Sequence, residues 1–507
     1  VYNNNAGGAT SAARAAVAID LAGNDRYERA LTGSVGNAQI VAQGAGLMGV
    51  GLLLDAAGAD TYSASIALTP PELAAPPAAT LLVQGAAAAG AGALIDLAGP
   101  DTFSASASTL GGPAVAAAQG AASLGGVGLL SARGPDTGSR YTATATSGAL
   151  LTARTATTQT FTIGTSSVYA QGGATTGAGV LVDEAGADIY AARSHSGAAV
   201  AYAQGGGVGG AVLVDREGSD TMFAESVADA VLDADWPVTC PPGNTCSFTG
   251  ALTAEVGMAV IDAHGASDGG FALLADQGAA PNTHEAIARI APVARSTVHF
   301  AGGGGAAGTL TSTVSLNVPT DVRLHADGYA NVGGVGMALG GDGSDAWIGR
   351  AHVTATAVAT STGGATNAAT ATATASDAEG NAQGFGALGA GVLNDPGGAD
   401  TYLVTESTGF SATRNGLPGS GFAGINRFYG RGFAVQGPPP IGTPGAGILV
   451  DLGGVDSYSP VYLGTFPGTN ERCWSNSAGA PGEVGVGMDV WSNGLGPLPS
   501  GCAPPPN

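Results

Sequence analysis

The stretch QGAGLMGVGLLLDAAGADTY, which runs from Gln43 to Tyr62, decides the fold because much of the chain repeats its pattern. It consists of Gln-Gly, a glycine-rich segment, a short apolar run and the corner Asp-x-x-Gly-x-Asp-x-aromatic. Short apolar runs that end at glycine-containing turns are typical of buried β-strands. A unit of this kind that recurs along a chain indicates a repeat architecture, in which each copy stacks on its neighbours.

The spacing is tight inside a unit and loose between units. Gln43 lies 12 residues before Asp55, and the same interval recurs in three further copies. Between units, by contrast, 41 residues separate Asp60 from Asp101 and 56 separate Asp400 from Asp456. A constant core with connectors of unequal length predicts an all-β fold, a parallel β-solenoid of β-helix or β-roll type built from degenerate repeats. A β-sandwich or barrel is the alternative.

The composition excludes several classes of function. All 16 basic residues are Arg, against 38 Asp and Glu, which gives a net charge of −22. A chain this acidic repels nucleic-acid phosphates, so we expect no nucleic-acid partner. Without Lys it forms no Schiff base and no phosphate-binding P-loop. No apolar run approaches the roughly 18 residues of a membrane helix, so we expect no membrane span.

The four cysteines favour an oxidising compartment. Cys240 and Cys246 flank PPGNT, and Cys473 and Cys502 bracket the C-terminal tail. Neither pair has His or Cys neighbours at zinc-ligand spacing. Two sequence-local pairs are most simply interpreted as two disulfides, which predicts an extracellular or cell-surface protein.

The aspartates of the corners are candidate metal ligands. If units stack, carboxylates of neighbouring strands lie about 4.8 Å apart and repel one another unless a cation or hydrogen bonds compensate. A hard, oxygen-preferring cation such as Ca²⁺ fits that need. The alternative is a metal-free turn in which Asp caps the backbone. The candidate ligands are Asp20, Asp25, Asp55, Asp60, Asp96, Asp101, Asp183, Asp188, Asp215, Asp220, Asp342, Asp345, Asp395, Asp400, Asp451 and Asp456.

One copy resembles a known calcium-binding repeat. GGDGSDAWIG, from Gly340 to Gly349, resembles the hemolysin-type (RTX) nonapeptide G-G-x-G-x-D-x-U-x. The other units are similar only from the glycine onward, as in Gly58-Ala-Asp60-Thr-Tyr62. The resemblance implies a β-roll in which Asp and turn carbonyls hold Ca²⁺. It covers about eight residues per unit, and the units here are not tandem nonapeptides.

The repeats suggest a division of the chain into four parts. We expect β-solenoid repeats in 1–270, a non-repeat insertion in 271–335, further repeats in 336–470 and a disulfide-stapled C-terminal cap in 471–507. Little is typical of helix apart from a turn at HEAIARIA, which starts at His284. The insertion is where an active site would be sought, because it collects His284, Glu285, Arg289, Arg295, His299, Asp321, Arg323, His325 and Asp327.

The expected function is structural. We predict a secreted structural or adhesive surface protein, stiffened by Ca²⁺, that assembles with copies of itself into a filament or surface layer and contacts polysaccharide or a cell surface. One alternative is a carbohydrate-active β-helix enzyme, a lyase or hydrolase, that uses the insertion. The other is a binder of ice or of a crystalline surface, suggested by Thr-Ala alternation such as TATATS from Thr142.

Overall fold

The computed structural model describes most of the chain, with gaps that widen toward the C-terminus. The described residues are 10–11, 14–34, 36–133, 138–155, 159–241, 244–300, 306–320, 322–430, 434–435, 446–451, 456–458, 472–475 and 484–489. This part of the chain is all-β and contains no helix, hence none that could cross a bilayer. HEAIARIA, predicted as a helical turn, lies in the strand Thr283–Ile290 except for its last residue, because its alternate residues face the core.

Three long sheets each take a strand from nearly every repeat. In the first, the aspartate sheet, most strands end in Asp and point their carboxyl ends the same way. Its strands are Ala15–Asp20, Val50–Asp55, Ala91–Asp96, Gly126–Ala132, Gly177–Asp183, Gly210–Asp215, Phe271–Asp276, Val335–Leu339, Ala390–Asp395, Ala446–Asp451, Val484–Asp489 and Arg472–Ser475. All are parallel except Arg472–Ser475.

The second long sheet, the aromatic sheet, starts where each corner ends. Its strands are Arg26–Gly33, Thr61–Leu68, Thr102–Leu110, Arg140–Arg154, Gln159–Ile163, Ile189–Ser196, Thr221–Ala228, Val231–Val238, Thr283–Ile290, Val293–Phe300, Ala346–Thr362, Thr401–Arg414, Leu417–Pro418 and Ser457–Tyr458. Its pairs are parallel apart from two local hairpins.

The third long sheet precedes the Gln-Gly of each unit. Its strands are Ala38–Val41, Ala79–Leu82, Ala114–Ala117, Thr165–Tyr169, Ala198–Tyr202, Ala259–Asp262, Val322–His325, Ala378–Ala382 and Asn426–Gly430. Short sheets contain the remaining strands: Thr10–Ser11, Gly46–Leu47, Ala87–Ala88, Ala122–Ser123, Ala330–Asn331, Gly386–Ala387, Ala434–Val435, Cys246–Glu255, Ala306–Asn317, Gly364–Thr374 and Ser420–Phe422. The predicted all-β fold with parallel strands is confirmed, and it is compatible with a β-solenoid.

Register aligns equivalent residues of successive units. Val50–Asp55 pairs residue for residue with Ala91–Asp96, so the carboxylates of Asp55 and Asp96 lie side by side. The core between the sheets has two parts, one filled mostly by Ala and the other by Leu and stacked aromatic rings. In the aromatic sheet Ala143 and Ala145 are buried, whereas Thr142 and Thr144 face outward. The Thr-Ala alternation of TATATS therefore places Ala in the core and Thr on the outer face at these positions.

Glycine is required where successive units approach most closely. At Gly85 the backbone has a φ of +75°, and a Cβ would lie 1.9 Å from the carbonyl oxygen of Leu129. At Gly58, in the corner, a Cβ would lie 1.8 Å from the carbonyl oxygen of Gly23. Both positions exclude any side chain, which explains why the repeat retains Gly there.

Strands within 271–335 continue the same sheets. Phe271–Asp276 pairs with Gly210–Asp215 in the aspartate sheet, and Thr283–Ile290 pairs with Thr221–Ala228 in the aromatic sheet. This stretch, expected from its sequence to stand outside the repeat, therefore adds strands to the repeat sheets. The corner motif of this unit is not recognisable in the sequence, because Asn282 and His284 take the places of the second Asp and the aromatic residue.

Candidate cation-binding aspartate columns

The first aspartates of the corners form a buried column at the end of the aspartate sheet. Asp55 and Asp96 are both fully buried. The hydroxyl of Tyr62 donates to both, with distances of 3.1 Å to Asp55 Oδ2 and 2.7 Å to Asp96 Oδ2. Tyr27, Tyr62 and Tyr190 thus each bridge the carboxylate of their own unit and that of the next. The aromatic rings stack at 4.8–4.9 Å from Tyr27 to Tyr190, which keeps the hydroxyls in one row.

One exception in the aromatic row follows from this bridging. Phe103 stands where its neighbours have Tyr, and the next unit has Ala132 in place of the first Asp. A hydroxyl at position 103 would find no carboxylate in the next unit. The carboxylate of its own unit, Asp96, already accepts a hydrogen bond from Tyr62. The loss of one hydroxyl therefore accompanies the loss of one acceptor.

The second aspartates form a parallel column that connects units through the backbone. Asp60 Oδ1 accepts the N–H of Asp25 at 2.5 Å, and Asp101 Oδ1 accepts the N–H of Asp60 at 2.7 Å. Ser139 and Asn282 occupy this column in units without the second Asp and accept the same kind of bond. One oxygen of each residue in this column therefore has a structural role that does not require a charge.

Some of the other carboxylate oxygens in the two columns have no hydrogen-bond partner among the described residues. Asp55 Oδ1, Asp60 Oδ2 and Asp215 Oδ1 are buried without a hydrogen-bond partner among the described residues. A buried unpaired carboxylate oxygen is costly, so it needs a proton, a cation or an ordered water molecule as a partner. The columns therefore require more than their internal hydrogen bonds.

Burial raises the pKa of these carboxyl groups. The pKa of Asp60 rises to about 6, because burial and the charges of Asp55 and Asp96 outweigh the stabilising hydrogen bond from the Asp25 N–H. The pKa of Asp101 rises to about 9 through burial and the charge of Asp96. The pKa of Asp276 rises to about 8, again mainly through burial. Without a cation, Asp101 and Asp276 are thus mostly protonated near neutral pH, whereas Asp60 is mostly ionised.

Among the described residues, three groups of aspartates bring carboxylate oxygens within 4.8 Å of one another, which is close enough to hold a metal ion. These all-aspartate clusters are Asp55–Asp60–Asp96, Asp188–Asp215–Asp220 and Asp400–Asp451–Asp456. Each combines two first-column residues with one of the second, or the reverse, across neighbouring units. The donor set is entirely carboxylate oxygen, which suits a hard cation and not a thiophilic one.

The remaining predicted ligands lie in varied surroundings. Asp101, Asp183, Asp345 and Asp395 are buried in the columns but belong to none of the three clusters. Asp20 and Asp25 are half-buried in the first unit. Asp342 is exposed, because Gly340 takes the first-column position beside Asp395 and leaves Asp342 in the turn.

Sequence reasoning missed one member of the columns. Asp276 is fully buried in the first column, although it is not followed by a complete copy of the corner motif. The structure places His264-Gly265 at the Gln-Gly position of this unit, with the Nδ1 of His264 2.9 Å from Asp327 Oδ1. A signal was available, because His264 lies 12 residues before Asp276, the interval found between Gln43 and Asp55.

The glutamines of the Gln-Gly pairs form a third buried column. Gln84 has a φ of +54°, and its Nε2 donates to the carbonyls of Tyr62 and Ser104, each at 3.0 Å. Gln204 likewise donates to the carbonyl of Phe223 at 3.0 Å and to Gln171 Oε1 at 2.9 Å. The Gln of the motif thus connects neighbouring strands of the aromatic sheet across the core.

A separate mixed cluster lies at the end of the third sheet. Asp262, Asp268 and His325 place ligand atoms within 4.8 Å of one another. His325 Nδ1 lies 2.7 Å from Asp262 Oδ1, and Tyr329 stacks on the imidazole at 4.0 Å. The His–Asp pairing satisfies much of this cluster without an ion, unlike the all-aspartate clusters.

The polar residues singled out in 271–335 lie in different places. His284 is buried in the aromatic row and stacks on Trp347 at 3.9 Å. Asp327 is buried in the glutamine column, whereas Arg295 is exposed and lies 3.4 Å from Asp233. Asp321 lies outside the described residues. Among the described members, these polar groups do not gather in a single cleft.

The disulfide prediction is confirmed for one pair. Cys240 and Cys246 are bonded and close a short loop between two strands. Cys502 lies outside the described residues, so the second pair, Cys473–Cys502, stays a prediction.

The hydroxyl rows are in register over three strands of the aromatic sheet. Ser63, Ser104 and Thr142 are aligned partners, as are Ser65, Ser106 and Thr144. The next strand interrupts the array, because Arg193 is aligned with Thr144.

No protein-family model, curated protein or solved structure matches this chain, so its likeness to other proteins rests on the sequence motif alone.

Proposed function

We propose that this protein is an extracellular β-solenoid with a structural or adhesive role, stiffened by Ca²⁺ bound in its aspartate columns. The observation that carries the proposal is the set of three buried all-aspartate clusters, repeated along parallel sheets. A repeated internal site of this kind stabilises the body of the protein along its length rather than serving one catalytic centre.

The order of strands supports a solenoid. From Ala15–Asp20 to Ala446–Asp451, the strands of the aspartate sheet follow one another in chain order, and the third sheet keeps the same order. Each repeat therefore contributes to several sheets before the chain moves to the next repeat. Stacking of this kind makes stability a sum of contacts between neighbouring units.

The unsatisfied oxygens support Ca²⁺. Asp55 Oδ1 and Asp60 Oδ2 are buried without hydrogen-bond partners and belong to one cluster with Asp96. Ca²⁺ accepts six to eight oxygen ligands in adaptable geometry, and carboxylates supply them with one or both oxygens. The resemblance to the RTX repeat points to the same ion. These residues would hold the ion, which would neutralise the charge that burial otherwise disfavours.

Two features support the extracellular and self-assembling parts of the proposal. The Cys240–Cys246 disulfide is of a kind that persists in oxidising compartments. Parallel strands at the two ends of a stack leave unpaired backbone groups, which must be capped or must pair with another chain. We propose that copies of this chain assemble with one another, in contact with a cell surface or polysaccharide.

Thermal unfolding of the full chain tests the calcium part. Metal-stripped protein is compared in chelator, in Ca²⁺ and in Mg²⁺ at equal ionic strength. We expect Ca²⁺ to raise the melting temperature and Mg²⁺ to do so less, because Mg²⁺ demands a stricter octahedral geometry. Equal melting temperatures in chelator and Ca²⁺ would contradict the proposal.

A further inference from the structure

The outer face of the aspartate sheet differs from that of its neighbour. In each strand alternate residues point inward, as the burial of Gly51, Leu53 and Asp55 shows, and the others point outward. Across the ten strands from Ala15–Asp20 to Ala446–Asp451, the outward positions hold Ala, Val, Ile, Leu, Met or Phe, apart from Ser131, Gly210 and Asn394. None of these positions is charged, although the chain has a net charge of −22.

The contrast with the aromatic sheet shows that this is not a general property of the surface. Outward positions of the aromatic sheet carry ion pairs, such as Arg350 with Glu285 at 2.9 Å and Arg193 with Glu225 at 3.8 Å. A sheet face in contact with water is normally polar in this way. The aspartate sheet instead presents a second apolar face in addition to the one that lines the core.

Large side chains on this face are open to solvent. Val17 and Ile19 are 60% and 61% exposed, and Val50, Val127 and Phe271 are 51%, 52% and 44% exposed. Within the described part of the chain, the strands in contact with the aspartate sheet are its own members and the short strands beside its inner face. No other described strand makes more than marginal contact with this sheet.

The size of the face is that of a stable protein interface. Ten strands at about 4.8 Å spacing, each about 20 Å long, cover about 900 Å². A standard interface buries about 800 Å² per partner, whereas the largest apolar patch of a typical monomer is about 300–600 Å². Charged groups lie at its edge, where Arg133 and Arg216 both approach Glu184, at 3.6 and 3.7 Å. An apolar centre with a charged rim is the usual anatomy of an interface.

We infer that this face is the contact surface between two copies of the chain, packed sheet against sheet. This inference rests on the self-assembly proposed above and assigns to it the outer face of the aspartate sheet, a surface distinct from the strand edges at the ends of the stack. The side chains form ridges that repeat at the strand spacing over ten strands, so an identical face offers matching grooves along its whole length. A partner without this repeat would match it only locally. Two copies related by a two-fold axis would pack at the roughly 10 Å separation of stacked sheets.

Charge predicts how the association responds to salt. Each copy has a net charge of −22, but the contact face contributes none of it. Repulsion therefore acts between charges outside the contact and is screened by salt, while apolar contact is not weakened by salt. We expect association to become tighter as the NaCl concentration rises.

Sedimentation velocity of the full chain tests the inference, with Val212→Glu and Thr144→Glu as a matched pair. Val212 lies near the middle of the apolar face, in register with Val180 and Leu273, whereas Thr144 faces outward on the aromatic sheet. We expect wild type and Thr144→Glu to dimerise, and Val212→Glu to be monomeric with an unchanged melting temperature. Both variants add one charge to an outward position, so the comparison isolates the face.

Any other result would contradict the inference, and each such result points to a different explanation. Oligomers that survive in Val212→Glu would show that assembly uses a different surface, leaving the proposed self-assembly intact. A monomeric wild type in high salt would contradict both. If that monomer is also destabilised by Val212→Glu, another segment of the same chain covers the face. If it co-sediments with phosphatidylcholine vesicles, the occupant is lipid.

Discussion

Replacement of Asp60 by Asn should have opposite effects on stability in chelator and in Ca²⁺. Asn keeps an oxygen that accepts the Asp25 N–H, as Asn282 does for Asp220 in another unit. It removes the charge from a carboxyl group whose pKa is raised from 3.8 to about 6, chiefly by burial. That difference corresponds to about 3 kcal/mol at pH 8, which solvent screening at the corner lowers to about 1–2 kcal/mol.

In chelator, Asp60→Asn should therefore stabilise its own unit. Hydrogen exchange is the suitable assay, because a repeat protein opens locally and each strand reports its own stability. A gain of 1–2 kcal/mol corresponds to roughly 5- to 30-fold slower exchange in Val50–Asp55 and Thr61–Leu68. In Ca²⁺ the variant lacks one ligand charge, so we expect its protection to fall below that of wild type.

The control is Glu72→Gln, which removes one exposed charge outside the columns and should change neither measurement. Slower exchange of Asp60→Asn by the same factor with and without Ca²⁺ would show that no cation binds at Asp60. Faster exchange in chelator would refute the electrostatic reasoning itself, since the carboxylate would then be stabilising in its buried site.

Three further predictions follow from the columns and the disulfide. Tyr62→Phe removes a hydroxyl that donates to two buried carboxylates, so we expect a loss of about 1–3 kcal/mol of local stability by hydrogen exchange; unchanged protection would contradict the bridging role. In chelator, melting temperature should fall from pH 4 to pH 9, because Asp276, with a pKa raised to about 8, adds stability below about pH 4 that is lost as it ionises; a rising melting temperature would refute this. Replacing Cys240 and Cys246 by Ser should lower local stability near that loop by about 2 kcal/mol and leave protection of the repeat sheets unchanged, and loss of protection throughout would contradict a local role.

Much of the aspartate site was predictable because its chemistry is local in sequence. Asp55, Gly58, Asp60 and Tyr62 fall within eight residues, and strand alternation places the aspartates and the ring on the side that the structure buries. The parallel stacking followed from recurrence of that unit. The unit at Asp276 escaped because one inserted residue and two substitutions changed its motif, while its sheet pairing was retained.

Other features depend on contacts between distant residues. The role of Gln84 requires a left-handed backbone and carbonyls contributed by residues 22 positions before and 20 after it, which no local pattern specifies. The placement of His325 beside Asp262 depends on a strand pair separated by 63 residues. The apolar outer face is visible as LLLD and VLVD runs, but a run that is apolar at every position does not reveal which side faces the core.

Equilibrium binding of Ca²⁺ to the metal-stripped full chain, by calorimetry together with elemental analysis, tests the central claim most directly. The three all-aspartate clusters predict at least three bound Ca²⁺ per chain at about 1 mM free Ca²⁺, the range of extracellular sites. A variant with Asp60, Asp220 and Asp400 all replaced by Asn should lose these three ions and remain folded. Absence of bound Ca²⁺ in the wild type, or full binding by the triple variant, would contradict the account.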